Sequence, residues 1–122
     1  MTLLLVAIGG ALGASLRYLI DRRVQRLSNA DFPWGTLTVN IIGSAVLGAL
    51  TGLALRGDDT ESLRAFLGIG LCGSLTTFSS FGYETIRLLI ERARPHAIAN
   101  VVVTVCAGFA AASAGILFSQ AL

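Results

Sequence analysis

Gly73-Ser-Leu-Thr-Thr-Phe-Ser-Ser-Phe-Gly-Tyr-Glu84 sets hydroxyls, two phenylalanines and a carboxylic acid inside an otherwise apolar run, Ala65 to Ile90. Polar groups placed where hydrocarbon belongs are costly, and they are normally kept for a substrate or ion path. The length of the run also constrains the fold. At ~1.5 Å per residue, a helix over Ala65–Ile90 reaches ~39 Å, more than the ~30 Å of a hydrocarbon core. It must therefore tilt, protrude or be interrupted. Gly73 with Ser74, then Thr76 and Thr77, is the expected place for a break near the middle. Glycine lowers the cost of leaving helical angles, and hydroxyls can satisfy the freed backbone groups. Unwound backbone at that depth exposes carbonyl oxygens suited to hard cations, provided protein or a cavity covers it. The competing expectation is an unbroken helix whose Ser and Thr side chains bond back to their own carbonyls.

Three more apolar blocks surround this one, roughly Leu3–Ile20, Thr36–Leu55 and Ala97–Leu117. The chain has 122 residues, 54% hydrophobic and only 13% charged, where a soluble domain carries about 25% charged residues. Each block reaches or approaches the ~20 residues of a membrane span. The reading is an all-α membrane protein, with four transmembrane helices over roughly 3–20, 36–55, 65–90 and 97–117 in one domain, 1–122. A soluble four-helix bundle would need a polar face on every helix, and these blocks show almost none. The first block has no basic residue ahead of it, unlike a cleaved signal peptide. The connections Asp21–Gly35, Arg56–Arg64 and Glu91–His96 are too short to fold alone.

Four helices of this length enclose too little interior for a pore together with its walls, which favours an oligomer. Gly9-x-x-x-Gly13 and Gly48-x-x-x-Gly52 each put two small residues on one helix face, suited either to contact between subunits or to packing within one. Every basic residue is an arginine. Arg22, Arg23, Arg26, Arg92 and Arg94 fall on one side of the membrane, with Arg17 and Arg87 near its helix ends. Arg56 and Arg64 fall on the other, beside Asp58, Asp59 and Glu61. Basic loops stay cytoplasmic, so the first and third loops are expected inside and both termini outside.

Other features carry less. Cys72 and Cys106 are isolated thiols in apolar surroundings and read as small hydrophobes. His96 follows Pro95 at a loop–helix junction. Gly68-Ile-Gly-Leu-Cys-Gly73 matches a dinucleotide fingerprint, but that pattern has meaning only between a strand and a helix. No catalytic constellation is present, so an enzyme is not expected. Helical spacing groups Ser74, Phe78, Phe81 and Thr85 on one face of the third span, flanked by Thr77 and Glu84. Aromatic rings are electropositive at their edges, so a phenylalanine pair can turn ring hydrogens toward a small anion. Such a pair is otherwise ordinary packing. Glu84 needs a wet cavity, a basic partner or a proton. On the second span, Thr36, Asn40, Gly43 and Ser44 form a matching strip. The Asn40 amide suits a polar pore wall or an interhelical hydrogen bond equally.

Gly9-Gly-x-x-Gly-Ala14 with Arg17-Tyr18, Gly35-Thr36 with Val39-Asn40 and Gly43, and Gly73-x-x-Thr-Thr-Phe-Ser-Ser-Phe81 with Glu84 together resemble the Fluc family of fluoride channels, also called CrcB. The likeness runs in order through the first three spans; the fourth has no diagnostic motif. The resemblance implies a passive fluoride-selective channel of the cell inner membrane, exporting fluoride and lowering its toxicity. It implies an antiparallel dimer, either a homodimer or a heterodimer with a homologous subunit, holding a structural sodium ion at its centre. Carried over by position, Asn40 lines the pore with Phe78 and Phe81 as ring-edge ligands, and Thr77, Ser79 and Ser80 supply hydroxyls. Backbone carbonyls of Gly73 and Thr76 hold the sodium, Arg17 sits at the vestibule, and Glu84 has no assigned role. The alternative is a small multidrug-type, proton-coupled exporter of cationic compounds. It calls for an acid in the first span, and here Glu84 is in the third.

Overall fold

The four apolar blocks become helices that run on into their polar flanks. A computed structural model of the chain describes residues 1–28, 32–58 and 61–122; Asp59, counted above among the loop acids, lies outside the described residues. Helix α1 spans Thr2–Ser28, α2 Trp34–Arg56 and α5 Arg94–Ala121. The third span, Glu61–Ile90, is built from α3, residues 61–75, and α4, Ser79–Ile90. All four spans are long and apolar enough to cross a bilayer, making this a multi-pass membrane protein. α1 reaches Ser28 instead of stopping near Ile20 because Arg22, Arg23 and Arg26 are good helix formers, and Arg22 donates to the Tyr18 hydroxyl one turn back at 2.8 Å.

Local chemistry sets the helix ends. α2 stops at Gly57, whose φ of 80° lets its N–H reach the Ala54 carbonyl at 3.0 Å while Asp58 N–H reaches Leu53 at 2.9 Å. This double closure satisfies carbonyls that the helix leaves open. α4 closes the same way, with Arg92 donating to Leu89 at 3.1 Å and Ala93 to Leu88 at 2.8 Å. Here an arginine takes the left-handed position, at φ 61°. α5 then begins with Pro95 in its first turn, where a missing N–H costs nothing.

Two seams carry most of the packing, α2 against α5 and α1 against α3. Both rely on absent side chains. A Cβ on Gly13 would strike the Leu71 carbonyl, one on Gly48 the Ala112 carbonyl, and one on Gly115 the Ala45 carbonyl. Of the two roles open to the paired-glycine motifs, both serve packing within the chain. The outer faces are bare: Leu3, Tyr18, Phe109 and Leu117 are all exposed, as they must be against lipid or a second subunit.

The third span departs from a simple helix twice. Arg64–Cys72 is wound as a π-helix, a rare form that is frequent at functional sites. The interruption then comes later than expected. Gly73 keeps helical angles, φ −61° and ψ −31°, and the chain leaves them at Thr76, φ −79° and ψ 156°. α4 restarts at Ser79. Glycine's freedom is therefore not what breaks the helix; the cause is a side chain on α2.

Candidate functional site

That side chain is Asn40. Its Oδ1 accepts from the Thr77 N–H at 2.8 Å and its Nδ2 donates to the Thr77 carbonyl at 3.0 Å. One amide thus takes both backbone groups of Thr77, as a neighbouring strand would. The Thr77 N–H is the group that would have closed a helical bond onto Gly73, so the bond to Asn40 replaces it. Thr77 is buried, where an unpaired backbone group costs about 1–3 kcal/mol. Two roles were open to Asn40, and the hydrogen-bonding one is seen directly. It does not exclude the other, because Nδ2 carries a second N–H and Asn40 lines a cavity beside the break.

The new helix start is capped from within. Thr77 Oγ1 accepts from the Ser80 N–H at 3.1 Å and lies 3.4 Å from Ser79 Oγ. At the other side of the break, Thr76 Oγ1 and Thr76 N–H both donate to the Cys72 carbonyl, at 2.8 and 3.1 Å. α3 ends here and α4 begins, so the negative end of one helix dipole meets the positive end of the next. Carbonyls collect on the α3 side and N–H groups on the α4 side.

The α2 strip faces the break along its whole length. Thr36 Oγ1 donates to Glu84 Oε1 at 2.6 Å, Asn40 holds Thr77, and Gly43 leaves room for the Thr76 methyl. Ser44 joins Asn40, Thr76, Thr77, Phe78, Phe81 and Thr104 around a cavity of about 350 Å³. The Phe78 and Phe81 ring centroids are 5.7 Å apart and tilted by 51°, a geometry that offers ring edges. Phe78 is 83% exposed, so its ring faces outward from the single chain, toward lipid or a second subunit. A second cavity, about 550 Å³, is lined by Ser79, Ser80, Tyr83, Glu84 and Arg87. Glu84 thus has a hydroxyl donor and an open recess with an arginine at its edge.

Of the residues expected at the site, Asn40, Thr76, Thr77, Phe78 and Phe81 come together, and Ser79, Ser80 and Glu84 line the adjoining recess. Ser74 does not join them, because it precedes the break and turns toward Gly10 on α1. Arg17 is half-buried on α1 and lines neither cavity. Cys72 is buried in α3 and Cys106 faces outward from α5, both free thiols. Sequence reasoning missed the fourth span's contribution. Asn100 is 2% exposed, donates to Thr85 Oγ1 at 2.8 Å and accepts from Thr104 Oγ1 at 3.3 Å. The signal was available: a lone asparagine in an apolar span argues as Asn40 does.

The residues present suit a small hard cation at the end of α3. With Thr77 N–H turned to Asn40, the Gly73 carbonyl loses its helical donor, and Thr76 is extended. Oxygen-only ligands at a helix C-terminus are the chemistry such an ion takes.

A family model described as CrcB-like protein, Camphor Resistance (CrcB), matches residues 4–116. The chain belongs to the CrcB family. Its relatives extend the match end to end. A Streptomyces avermitilis protein named Fluoride-specific ion channel FluC 1 is 51% identical over 122 residues, covering 100% of this chain and 98% of that one. A Nocardia farcinica protein of the same name is 52% identical over 112 residues, 92% of this chain and 76% of its own. A Shewanella halifaxensis protein named Fluoride-specific ion channel FluC is 43% identical over 102 residues, 84% of this chain and 82% of its own. The multidrug-type exporter gains no support from these relatives.

Proposed function

We propose that this protein is a fluoride-specific channel of the cell membrane, letting the anion leave the cell passively down its electrochemical gradient. The observation that carries the reading is the Phe78–Phe81 pair held beside the Asn40–Thr77 lock, in a chain about half identical to named fluoride channels. Fluoride is small and tightly hydrated, so it crosses only where hydrogen donors replace its water at each step. Ring edges, the spare Asn40 N–H and the hydroxyls of Thr77, Ser79 and Ser80 are such donors. N–H groups at the start of α4 add a positive end to the path. Arg17, which lines neither cavity of the single chain, would act at the vestibule of the assembled dimer, where its field raises the local anion concentration. A membrane potential negative inside drives the anion outward by about 2.3 kcal/mol per charge per 100 mV, so no ATP or proton coupling is required.

The working unit is an antiparallel dimer. The exposure of Phe78, together with the bare faces of α1 and α5, supports a second subunit completing each pore. The Gly73 and Thr76 carbonyls would hold a structural sodium ion, which would supply a fixed positive charge. The arginine imbalance favours one orientation, with the first and third loops inside, and either a second copy of this chain or a homologous subunit of opposite bias completes the dimer.

Fluoride efflux from vesicles holding the purified protein tests the reading. Efflux well above empty vesicles is expected, with Phe81→Ala returning it to the empty-vesicle baseline while assembly persists. Vesicles as tight as empty ones, with or without a homologous chain, would sink it.

A further inference from the structure

Among the described residues, α4 touches the rest of the chain only through α5 and, more lightly, α2. The half-helix that carries Phe81 is severed from α3 by the break and hangs on its neighbours. Its seam with α5 is apolar where it is tightest, with Leu88 and Ala97 buried almost completely. Contacts of that kind hold two helices together but set their register weakly, since lipid is as apolar as the seam. A buried polar pair sets register, because sliding leaves a donor or acceptor unpaired.

The seam contains one such arrangement. Asn100 on α5, 2% exposed, donates from Nδ2 to Thr85 Oγ1 at 2.8 Å. Thr85 in turn donates from Oγ1 to the Phe81 carbonyl at 2.8 Å. Behind it, Thr104 donates to Asn100 Oδ1 at 3.3 Å and fixes which way the amide faces. Every donor in the chain points the same way, from Thr104 through Asn100 and Thr85 to the backbone of Phe81. Thr85 lies one turn beyond Phe81 on the same face of α4, so fixing Thr85 along the helix axis fixes Phe81.

We infer that Asn100 is a positioning residue for conduction: through Thr85 it holds α4 in the register that keeps the Phe81 ring edge level with Asn40 and Phe78. It does not touch the ion. This rests on the channel reading above and extends it to a span that carried no expected site residue. Thr36 pins the other side of α4 through Glu84, so losing Asn100 frees the half-helix to slide without detaching it.

Fluoride efflux from vesicles tests the inference with wild type, Asn100→Leu, Thr85→Val, Thr85→Ser and the double variant Asn100→Leu/Thr85→Val. Dimer content is read by size-exclusion chromatography in detergent. Asn100→Leu and Thr85→Val should each slow efflux about tenfold at unchanged dimer content, and the double variant should be no slower than the slower single, the signature of groups acting as one unit. Thr85→Ser keeps the hydroxyl and should run near the wild-type rate. Wild-type efflux in Asn100→Leu or Thr85→Val overturns the inference, as does a double variant slowed by the product of the singles. Should Asn100→Leu fail to assemble, the Thr85 pair decides alone: equal slowing in Ser and Val variants overturns it. A wild-type protein no faster than empty vesicles would instead overturn the channel reading itself, a separate result.

Discussion

The glycine seams and the break in the third span solve opposite problems with the same economy of side chains. At the seams, Gly13, Gly48 and Gly115 remove atoms so that backbone meets backbone, and nothing polar is left over. At the break, one asparagine supplies atoms so that backbone need not meet backbone at all. Seams make the frame stiff and indifferent to chemistry. The break leaves N–H groups, hydroxyls and ring edges facing a cavity, and side-chain bonds from Asn40 and Thr77 carry much of what holds it in place. Damage to a seam should therefore appear in stability, and damage to the break in transport.

Asn40→Leu tests the second half of that contrast and carries the largest expected effect. It removes both partners of Thr77, whose buried N–H and carbonyl each cost about 1–3 kcal/mol when unpaired. Efflux should fall to the empty-vesicle baseline, and the thermal midpoint in detergent should drop as well. Asn40→Leu with wild-type efflux would show that the break does not need this lock, and the contrast would be lost.

Much of the frame was legible in the sequence. Blocks of apolar residues with clustered charges can only be membrane helices, and the motif around Thr76–Phe81 marked the polar site to within a few residues. The exact place of the break was not legible, because it depends on a partner 37 positions away. Gly73 looked like the weak point on local propensity, yet it stays helical while Thr76, a β-branched residue, leaves the helix. Long-range hydrogen bonding overrode local preference. Ser74 was misplaced for the same reason, since helical spacing does not continue across an interruption. Asn100 was passed over because the fourth span offered no motif, although its burial cost is that of any lone amide in hydrocarbon.

Gly115→Ala tests the first half of the contrast and should have an intermediate effect. The added Cβ meets the Ala45 carbonyl, a backbone atom that cannot rotate away. Overpacking of this kind costs about 1–3 kcal/mol, so the midpoint should fall. Efflux per folded dimer should stay close to wild type, because neither Gly115 nor Ala45 lines the Phe78–Phe81 cavity. A variant that melts normally but conducts poorly would mean that seam and break are coupled, and the two regions would have to be treated as one.

Gly57→Ala isolates backbone geometry from both regions and should have the smallest effect. Nothing lies within 4 Å of the place its Cβ would occupy, so no clash arises. What remains is the φ of 80° that closes α2, where an alanine costs roughly 1 kcal/mol relative to glycine. The chain already tolerates such a residue once, since Arg92 closes α4 at φ 61°. Thermal melting should therefore show a shift of about that size, with efflux per dimer unchanged. A larger loss would mean that the α2–α3 turn bears on the path, whereas no loss at all would show that the Gly57 N–H and Asp58 N–H closures survive the strain and that the turn, like Arg92, is held by its hydrogen bonds rather than by its residue type.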